Sequence, residues 1–168
     1  IESGRYSTTN PSDDTYPTYL GALAEFARWL LGHGYDIRLL VGDSVDAPVL
    51  DEFDSLLADG RIRFEEGRII NQPIESINDL LAALSGTDLV VATRFHNVVL
   101  SLLLGKPVIS ISFHSKCTAL MDAMGLSEYC QRIDLLDSES LVERFQKLQS
   151  NAESVRAAAL ERAATFRG

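Results

Sequence analysis

Apolar segments of strand length alternate with helical segments along most of this chain, and this alternation constrains the fold more than any other feature. Strands are predicted at residues 36–42, 61–64, 88–93 and 107–112, and a further short segment follows at 131–135. Strands that are apolar on both faces are typical of parallel sheets covered by helices on both sides. We therefore predict an α/β fold with a doubly wound parallel sheet of about five strands and helices on both faces.

Apolar residues recur at helical spacing between these strands, and glycines mark several of the helix ends. The predicted helices cover residues 20–31, 47–58, 76–84, 95–104 and 116–124, with one or two amphipathic helices over 139–166. A polar segment at 7–17 is dense in turn-forming residues and is predicted to be a loop. With 168 residues the chain is long enough for one α/β domain over residues 1–168.

The chain is acidic, which argues against some classes of partner. It carries 15 Lys and Arg against 24 Asp and Glu, a formal net charge of −9. Phosphate neutralisation dominates nucleic-acid affinity, so no nucleic-acid partner is expected.

No transmembrane segment is expected either, because no apolar stretch approaches the ~20 residues of a membrane span. The two cysteines have no CxxC spacing and no signal peptide begins the chain, so we expect a cytoplasmic location.

Polar and charged side chains follow two of the predicted strands and begin the next helices. Arg94, His96 and Asn97 follow the strand 88–93, and His114, Ser115 and Lys116 follow the strand 107–112. Ligands bind parallel sheets beyond the carboxyl ends of the strands, and helix N-termini favour anions. If the two strands are neighbours, we expect the side chains of Arg94, His96, His114, Ser115 and Lys116 to converge at one end of the sheet.

An acid-free stretch supports an anion site there. No Asp or Glu occurs between Asp88 and Asp122, whereas Arg94, Lys106, Lys116 and two of the three histidines do. Arginine offers a bidentate fork and lysine a mobile charge, which suits a ligand with two anionic ends. Buried strands and an apolar helix explain part of the absence of acids, and a single basic residue is more often a solvated surface charge. No metal-binding motif is present, and Cys117 is expected to be a packed core residue.

The segment 89–112, together with the Phe-His-Ser-Lys loop at 113–116, resembles the polysaccharide pyruvyl transferases. That family's pattern is an Arg-x-His at a helix start, a helix rich in small residues, Gly-x-Pro, a strand and a downstream lysine. This sequence has Arg94 and His96, the Gly-Lys-Pro at 105–107 and Lys116 at the corresponding points. The match extends back through 34–43 and Asp46. Two departures are Phe95, where the family commonly has leucine, and the pair Phe113 and His114, where a Tyr-Asp-like pair is usual.

The resemblance implies transfer of a pyruvyl group from phosphoenolpyruvate to a sugar residue of a cell-surface or exopolysaccharide precursor, without a cofactor or metal. The acceptor would be a sugar or a lipid-linked oligosaccharide. His96 is the candidate general acid. The candidate substrate-binding residues are Arg94, Lys116, Asn97, Ser115, His114 and Arg5.

The resemblance also implies a domain organisation. The family's proteins have two α/β domains that face a cleft, similar to the two-domain glycosyltransferase fold. This chain would then be the carboxy-terminal half, inactive without its N-terminal domain. The first residue is not methionine, which fits the expectation of further sequence upstream.

Two other functions fit the same residues. A nucleotide-sugar-dependent glycosyltransferase would hold the donor diphosphate at a helix N-terminus and would need an acidic residue for the ribose hydroxyls, with Asp137 or Glu139 as candidates. A non-catalytic domain that has kept the fold is the third hypothesis. The intact set of Arg94, His96 and Lys116 argues against it.

Overall fold

The computed structural model describes residues 15–40, 47–58, 67–71 and 73–165. Its elements are α1 (Thr15–Gly32), β1 (Ile37–Leu39), α2 (Ala47–Ala58), β2 (Ile69–Asn71), α3 (Ile77–Ser85), β3 (Val90–Ala92), α4 (Phe95–Leu103), β4 (Val108–Ser112), α5 (Ser115–Ala123), β5 (Cys130–Arg132), α6 (Ser138–Ser150) and α7 (Ala152–Thr165). Short 3-10 helices at Ser127–Tyr129 and Ile133–Leu135 flank β5. The chain divides into two compact units, one of Ile1–Leu80 with Leu136–Val142 and one of Leu81–Leu135 with Glu143–Gly168.

The first unit contains α1, α2 and a parallel pair of strands. β1 pairs with β2, with Ile37 opposite Ile69. α1 packs against β1 and α2, and the guanidinium of Arg28 donates a hydrogen bond of 2.7 Å to the carbonyl of Leu56. The apolar side chains that these helices bury include Leu20, Ala24, Ala27 and Leu31 in α1 and Val49, Phe53 and Leu57 in α2. Their spacing of three to four residues is the reason each segment forms an amphipathic helix.

The second unit contains a three-stranded parallel sheet in the order β3-β4-β5. All five residues of β4 are buried, as expected for a central strand. α4 packs against β3, β4, α5 and α7, and α5 packs against β4 and β5. The two helices are therefore the crossover connections of a parallel sheet.

The α/β class and the parallel pairing are confirmed, but the strands do not form the single five-stranded sheet that we expected. Among the described residues they form one sheet of two strands and one of three. The predicted strand at 61–64 lies outside the described residues. β2 was not predicted, because two apolar residues in a polar segment give no periodic signal.

The helix bounds follow the predicted ones with two differences. α1 begins at Thr15, inside the predicted loop, because Pro17 falls in the first helical turn, where a backbone N–H has no partner within the helix. The stretch 139–166 forms two helices that meet at Asn151, whose N–H donates to the carbonyl of Lys147 and whose carbonyl accepts from Val155. No helix in the described ranges has the length and apolar character needed to cross a membrane.

Candidate functional site

The pairing of β3 with β4 brings the two predicted loops together. The strands are parallel, with Ala92 opposite Ser110, so the chain leaves both of them on the same side of the sheet, which we call the carboxyl edge. α4 begins there after β3, α5 begins there after β4, and the two helices pack against each other. The condition set by the sequence argument, that these strands are neighbours, is therefore met.

Arg94, His96 and Asn97 begin α4. Arg94 is the N-cap residue, with an extended backbone (φ −83°, ψ 130°) and a half-buried side chain. Its carbonyl accepts the N–H of Asn97 at 3.0 Å and of Val98 at 3.2 Å. His96 is exposed, and its ring meets Phe95 edge to face with the centroids 5.9 Å apart. The arginine thus lies at the helix N-terminus and the imidazole is open to a ligand.

His114, Ser115 and Lys116 begin α5, and all three side chains are exposed. His114 is the N-cap residue, with an extended backbone (φ −126°, ψ 143°), and its ring packs on Phe113 at a centroid distance of 4.2 Å. Ser115 and Lys116 are the first two residues of the helix. The carboxyl edge therefore carries two helix N-termini, each with a cationic side chain, an arrangement that attracts anions.

Buried hydroxyl groups hold both loops in place. Ser112 donates to the carbonyl of His114 at 2.8 Å, and its oxygen lies 3.1 Å from the hydroxyl of Thr118. Ser101 donates to the carbonyl of Asn97 at 2.7 Å. These bonds tie the start of α5 to the end of β4, and the first residues of α4 to its second turn.

Two residues of the acid-free stretch have structural roles. The Lys106 ammonium donates to the carbonyls of Ser85 and Thr87, each at 2.7 Å, and so binds the chain at the end of α3. It therefore does not contribute to the carboxyl edge. Cys117 is 2% exposed, which confirms the prediction of a packed core residue.

Arg132 was not among the residues expected at the carboxyl edge. Arg132 ends β5 opposite Ser112, so it also lies at the carboxyl edge. It forms a bidentate ion pair with Asp134, with Nε–Oδ1 at 2.9 Å and Nη2–Oδ2 at 2.5 Å. This pairing lowers the pKa of the Asp134 carboxyl. Only the strand pairing reveals this arginine. Arg5 and Asp46 lie outside the described residues.

The glycosyltransferase hypothesis requires an acidic residue for the ribose hydroxyls, with Asp137 and Glu139 as candidates. Asp137 caps α6: one carboxylate oxygen accepts the N–H of Ser140 and the other accepts its hydroxyl, both at 2.7 Å. A ribose would have to displace this cap. Glu139 is exposed in the first turn of the same helix. Within the described parts of the chain, no three His, Cys, Asp or Glu side chains are grouped so as to hold a metal ion.

Part of this chain is similar to known proteins. Residues 3–115 match the model of the polysaccharide pyruvyl transferase family, a stretch that includes Arg94, His96 and His114 and stops one residue before Lys116. The amylovoran biosynthesis protein AmsJ of Erwinia amylovora is 26% identical over 84 residues, which are 49% of this chain and 20% of that protein. The match thus spans about a fifth of that relative's length. No solved structure matches the chain.

Proposed function

This chain belongs to the polysaccharide pyruvyl transferase family, and from that membership we propose that it binds phosphoenolpyruvate and takes part in transferring its pyruvyl group to a sugar. The observation that carries the proposal is the parallel pairing of β3 with β4. It gathers a half-buried arginine, an exposed imidazole and an exposed lysine at the starts of two neighbouring helices.

Phosphoenolpyruvate has two anionic ends, a phosphate and a carboxylate. Arg94 offers a planar fork that matches either group, and Lys116 offers a mobile point charge. The backbone N–H groups of two helix N-termini add donors to the same edge. His114, Ser115 and Asn97 supply further polar contacts. The set holds a small dianionic or trianionic ligand without a metal ion.

His96 is proposed to start the reaction by giving a proton to the methylene carbon of phosphoenolpyruvate. Protonation makes the adjacent carbon, C2, cationic enough for a sugar hydroxyl to attack it. The bond from C2 to the phosphate oxygen then breaks, and phosphate leaves. A second hydroxyl of the sugar attacks C2 and closes the cyclic ketal. Of the two hydroxyl protons, one passes to the released phosphate and the other restores the protonated form of His96.

The acceptor is proposed to be a sugar residue of a cell-surface or exopolysaccharide precursor, free or lipid-linked. The name of the relative AmsJ, an amylovoran biosynthesis protein, supports a role in polysaccharide assembly. A cytoplasmic location, where phosphoenolpyruvate is made, and a second domain that completes the acceptor side belong to the same proposal.

The proposal is tested by titrating the protein with phosphoenolpyruvate and, separately, with UDP, while following the thermal unfolding midpoint. A ligand that binds only the folded state stabilises it by about 2.7 kcal/mol at a hundredfold excess over Kd. We expect phosphoenolpyruvate to raise the midpoint, Arg94→Ala to abolish the effect, and Arg156→Ala, which removes an exposed arginine of α7, to retain it. A response to UDP alone would favour a glycosyltransferase, and no response to either ligand would overturn the proposed donor site.

A further inference from the structure

Arg132 lies on the face of the sheet that α5 covers. Its register partner is Ser112, the last residue of β4. Paired residues of neighbouring parallel strands project to the same face, because successive side chains alternate. Ser112 contacts Thr118 of α5 on that face. The Arg132 side chain is 69% exposed, so it does not enter the core.

Thr118 locates the first turn of α5 relative to this arginine. Its hydroxyl lies 3.1 Å from that of Ser112 in β4, and α5 also packs against β5. Ser115 lies about one helical turn before Thr118 on the same side of α5. Arg132 lies two residues after Cys130 on the same side of β5. Both displacements lead toward the carboxyl edge, so Arg132 lies at the same edge of the sheet as the N-terminal turn of α5.

Asp134 orients the guanidinium without using all of its donors. The ion pair engages Nε and Nη2, and a guanidinium has five N–H groups, so the Nη1 group and one N–H of Nη2 are not required by it. Holding a long side chain in one geometry lowers the entropy that a ligand must offset when it binds.

We propose that Arg132 is a substrate-binding residue that holds the phosphoryl group of phosphoenolpyruvate, together with Ser115 and Lys116 at the start of α5. Arg94 then takes the carboxylate at the start of α4, where His96 is placed to reach the carbon framework. The inference rests on the proposed function. The charges favour this orientation, since the doubly charged phosphate takes the side with two cationic side chains and the singly charged carboxylate takes the bidentate fork.

The test compares three ligands, phosphoenolpyruvate, inorganic phosphate and pyruvate, by isothermal titration calorimetry of the protein. Asp134→Asn keeps a carbonyl oxygen that can accept a hydrogen bond from the guanidinium but removes a negative charge beside the phosphoryl site, so we expect it to tighten binding of phosphoenolpyruvate and of phosphate. Adding Arg132→Gln in that background creates no unpaired carboxylate. We expect this double variant to bind both ligands about tenfold more weakly than Asp134→Asn alone, the loss of one charge-assisted hydrogen bond. Binding of pyruvate is expected to stay unchanged, and Arg156→Gln serves as the matched control.

The outcomes separate the inference from the proposed function. If Asp134→Asn and the double variant bind phosphoenolpyruvate with the same affinity, and likewise phosphate, the role of Arg132 is overturned. The proposed donor site would still stand if binding of phosphoenolpyruvate depends on Arg94. Loss of pyruvate binding with phosphate binding intact overturns the orientation, because it places Arg132 on the carboxylate. If the protein binds neither phosphoenolpyruvate nor phosphate, both proposals fail. Circular dichroism of each variant checks that the fold is retained.

Discussion

Ala92 lies directly opposite Ser110 in the parallel pairing of β3 with β4. This register makes two segments twenty residues apart, around Arg94 and His114, into neighbouring strand ends. A slip in this register would move the start of α4 along the sheet relative to the start of α5 by one residue rise, about 3.3 Å, for each residue of slip. The hydroxyl bonds of Ser112 then decide how α5 departs from its strand. The pairing of β3 with β4 and the hydrogen bonds of Ser112 together determine the geometry of the carboxyl edge.

Lys116→Ala is expected to weaken binding of phosphoenolpyruvate by about 1.5–3 kcal/mol, the range for a hydrogen bond to a charged group. The lysine is exposed, so the lower end of that range is the more reasonable expectation. Calorimetric titration measures the change. Lys147→Ala is the control, because Lys147 is an exposed lysine that pairs with Glu128 at the end of α6. An unchanged dissociation constant in Lys116→Ala would remove this residue from the site.

His96→Gln is expected to slow phosphate release by the protein about a hundredfold to ten-thousandfold, the usual contribution of a general acid. Binding of phosphoenolpyruvate is expected to change little, since the glutamine side chain still donates a hydrogen bond. Rates of phosphate release with acceptor present, set beside titration of the same variant, separate the two effects. His33→Gln, which alters the exposed histidine after α1, is the control. Turnover near that of the wild type would exclude His96 as the acid.

Gly125→Ala is expected to destabilise the fold by about 1–2 kcal/mol, whereas Gly21→Ala is expected to stabilise it by about 0.5–1 kcal/mol. Gly125 ends α5 in the left-handed region at φ +64°, and a Cβ there would meet the guanidinium of Arg162. Gly21 lies within α1, and a Cβ there meets no atom within 4 Å. Urea unfolding of the two variants measures the difference. The two substitutions are expected to change the free energy of unfolding in opposite directions, and equal changes would contradict this expectation.

Tyr16 is expected to ionise late in an alkaline titration. Burial, followed by its hydrogen bond to Glu52 at 3.0 Å, raises the pKa of the Tyr16 phenol to about 12. The folded protein keeps this proton while the unfolded chain loses it near pH 10. Its contribution to stability is therefore complete below pH 10 and is lost as the pH rises toward 12.

The ultraviolet absorbance of tyrosinate, compared between the wild type and Tyr16→Phe, isolates this group. Glu52→Gln is expected to bring the pKa part of the way back, because the effect of burial remains. Ionisation of Tyr16 near pH 10 in the folded wild type would contradict the expectation.

Both cysteines are expected to react slowly with a thiol reagent in the folded protein. Cys117 is 2% exposed. Cys130 is half-buried, and burial raises the pKa of its thiol despite the opposing effects of Thr118, Ser110 and Arg144. The thiolate is the reactive form of cysteine, and a raised pKa leaves little of the Cys130 thiolate at neutral pH. Kinetics of disulfide exchange, with Cys130→Ser to assign the phases, should show Cys130 reacting before Cys117 and both becoming fast in denaturant. A fast phase in the native wild type that Cys130→Ser removes would be the opposite result.

Local periodicity was enough to predict the elements that form the site. α4 was expected at 95–104 and occurs at Phe95–Leu103, and α5 was expected at 116–124 and occurs at Ser115–Ala123. The spacing of apolar residues and the glycines after each helix are contained within a few residues of sequence, so no tertiary information is needed to find them. The positions of Arg94, His96 and Lys116 at the helix starts follow from those bounds.

Strand pairing was decided only by the tertiary structure. Hydrogen bonds between segments distant in sequence divide the described strands into two sheets and form the strand at Ile69–Asn71. They also place Arg132 in the strand that α5 packs against. Strands of three residues carry little periodic signal, and an exposed arginine in a short polar segment is indistinguishable from a solvated charge. Arg132 lies at the carboxyl edge only because Ser112 and Arg132 are opposite each other in the sheet.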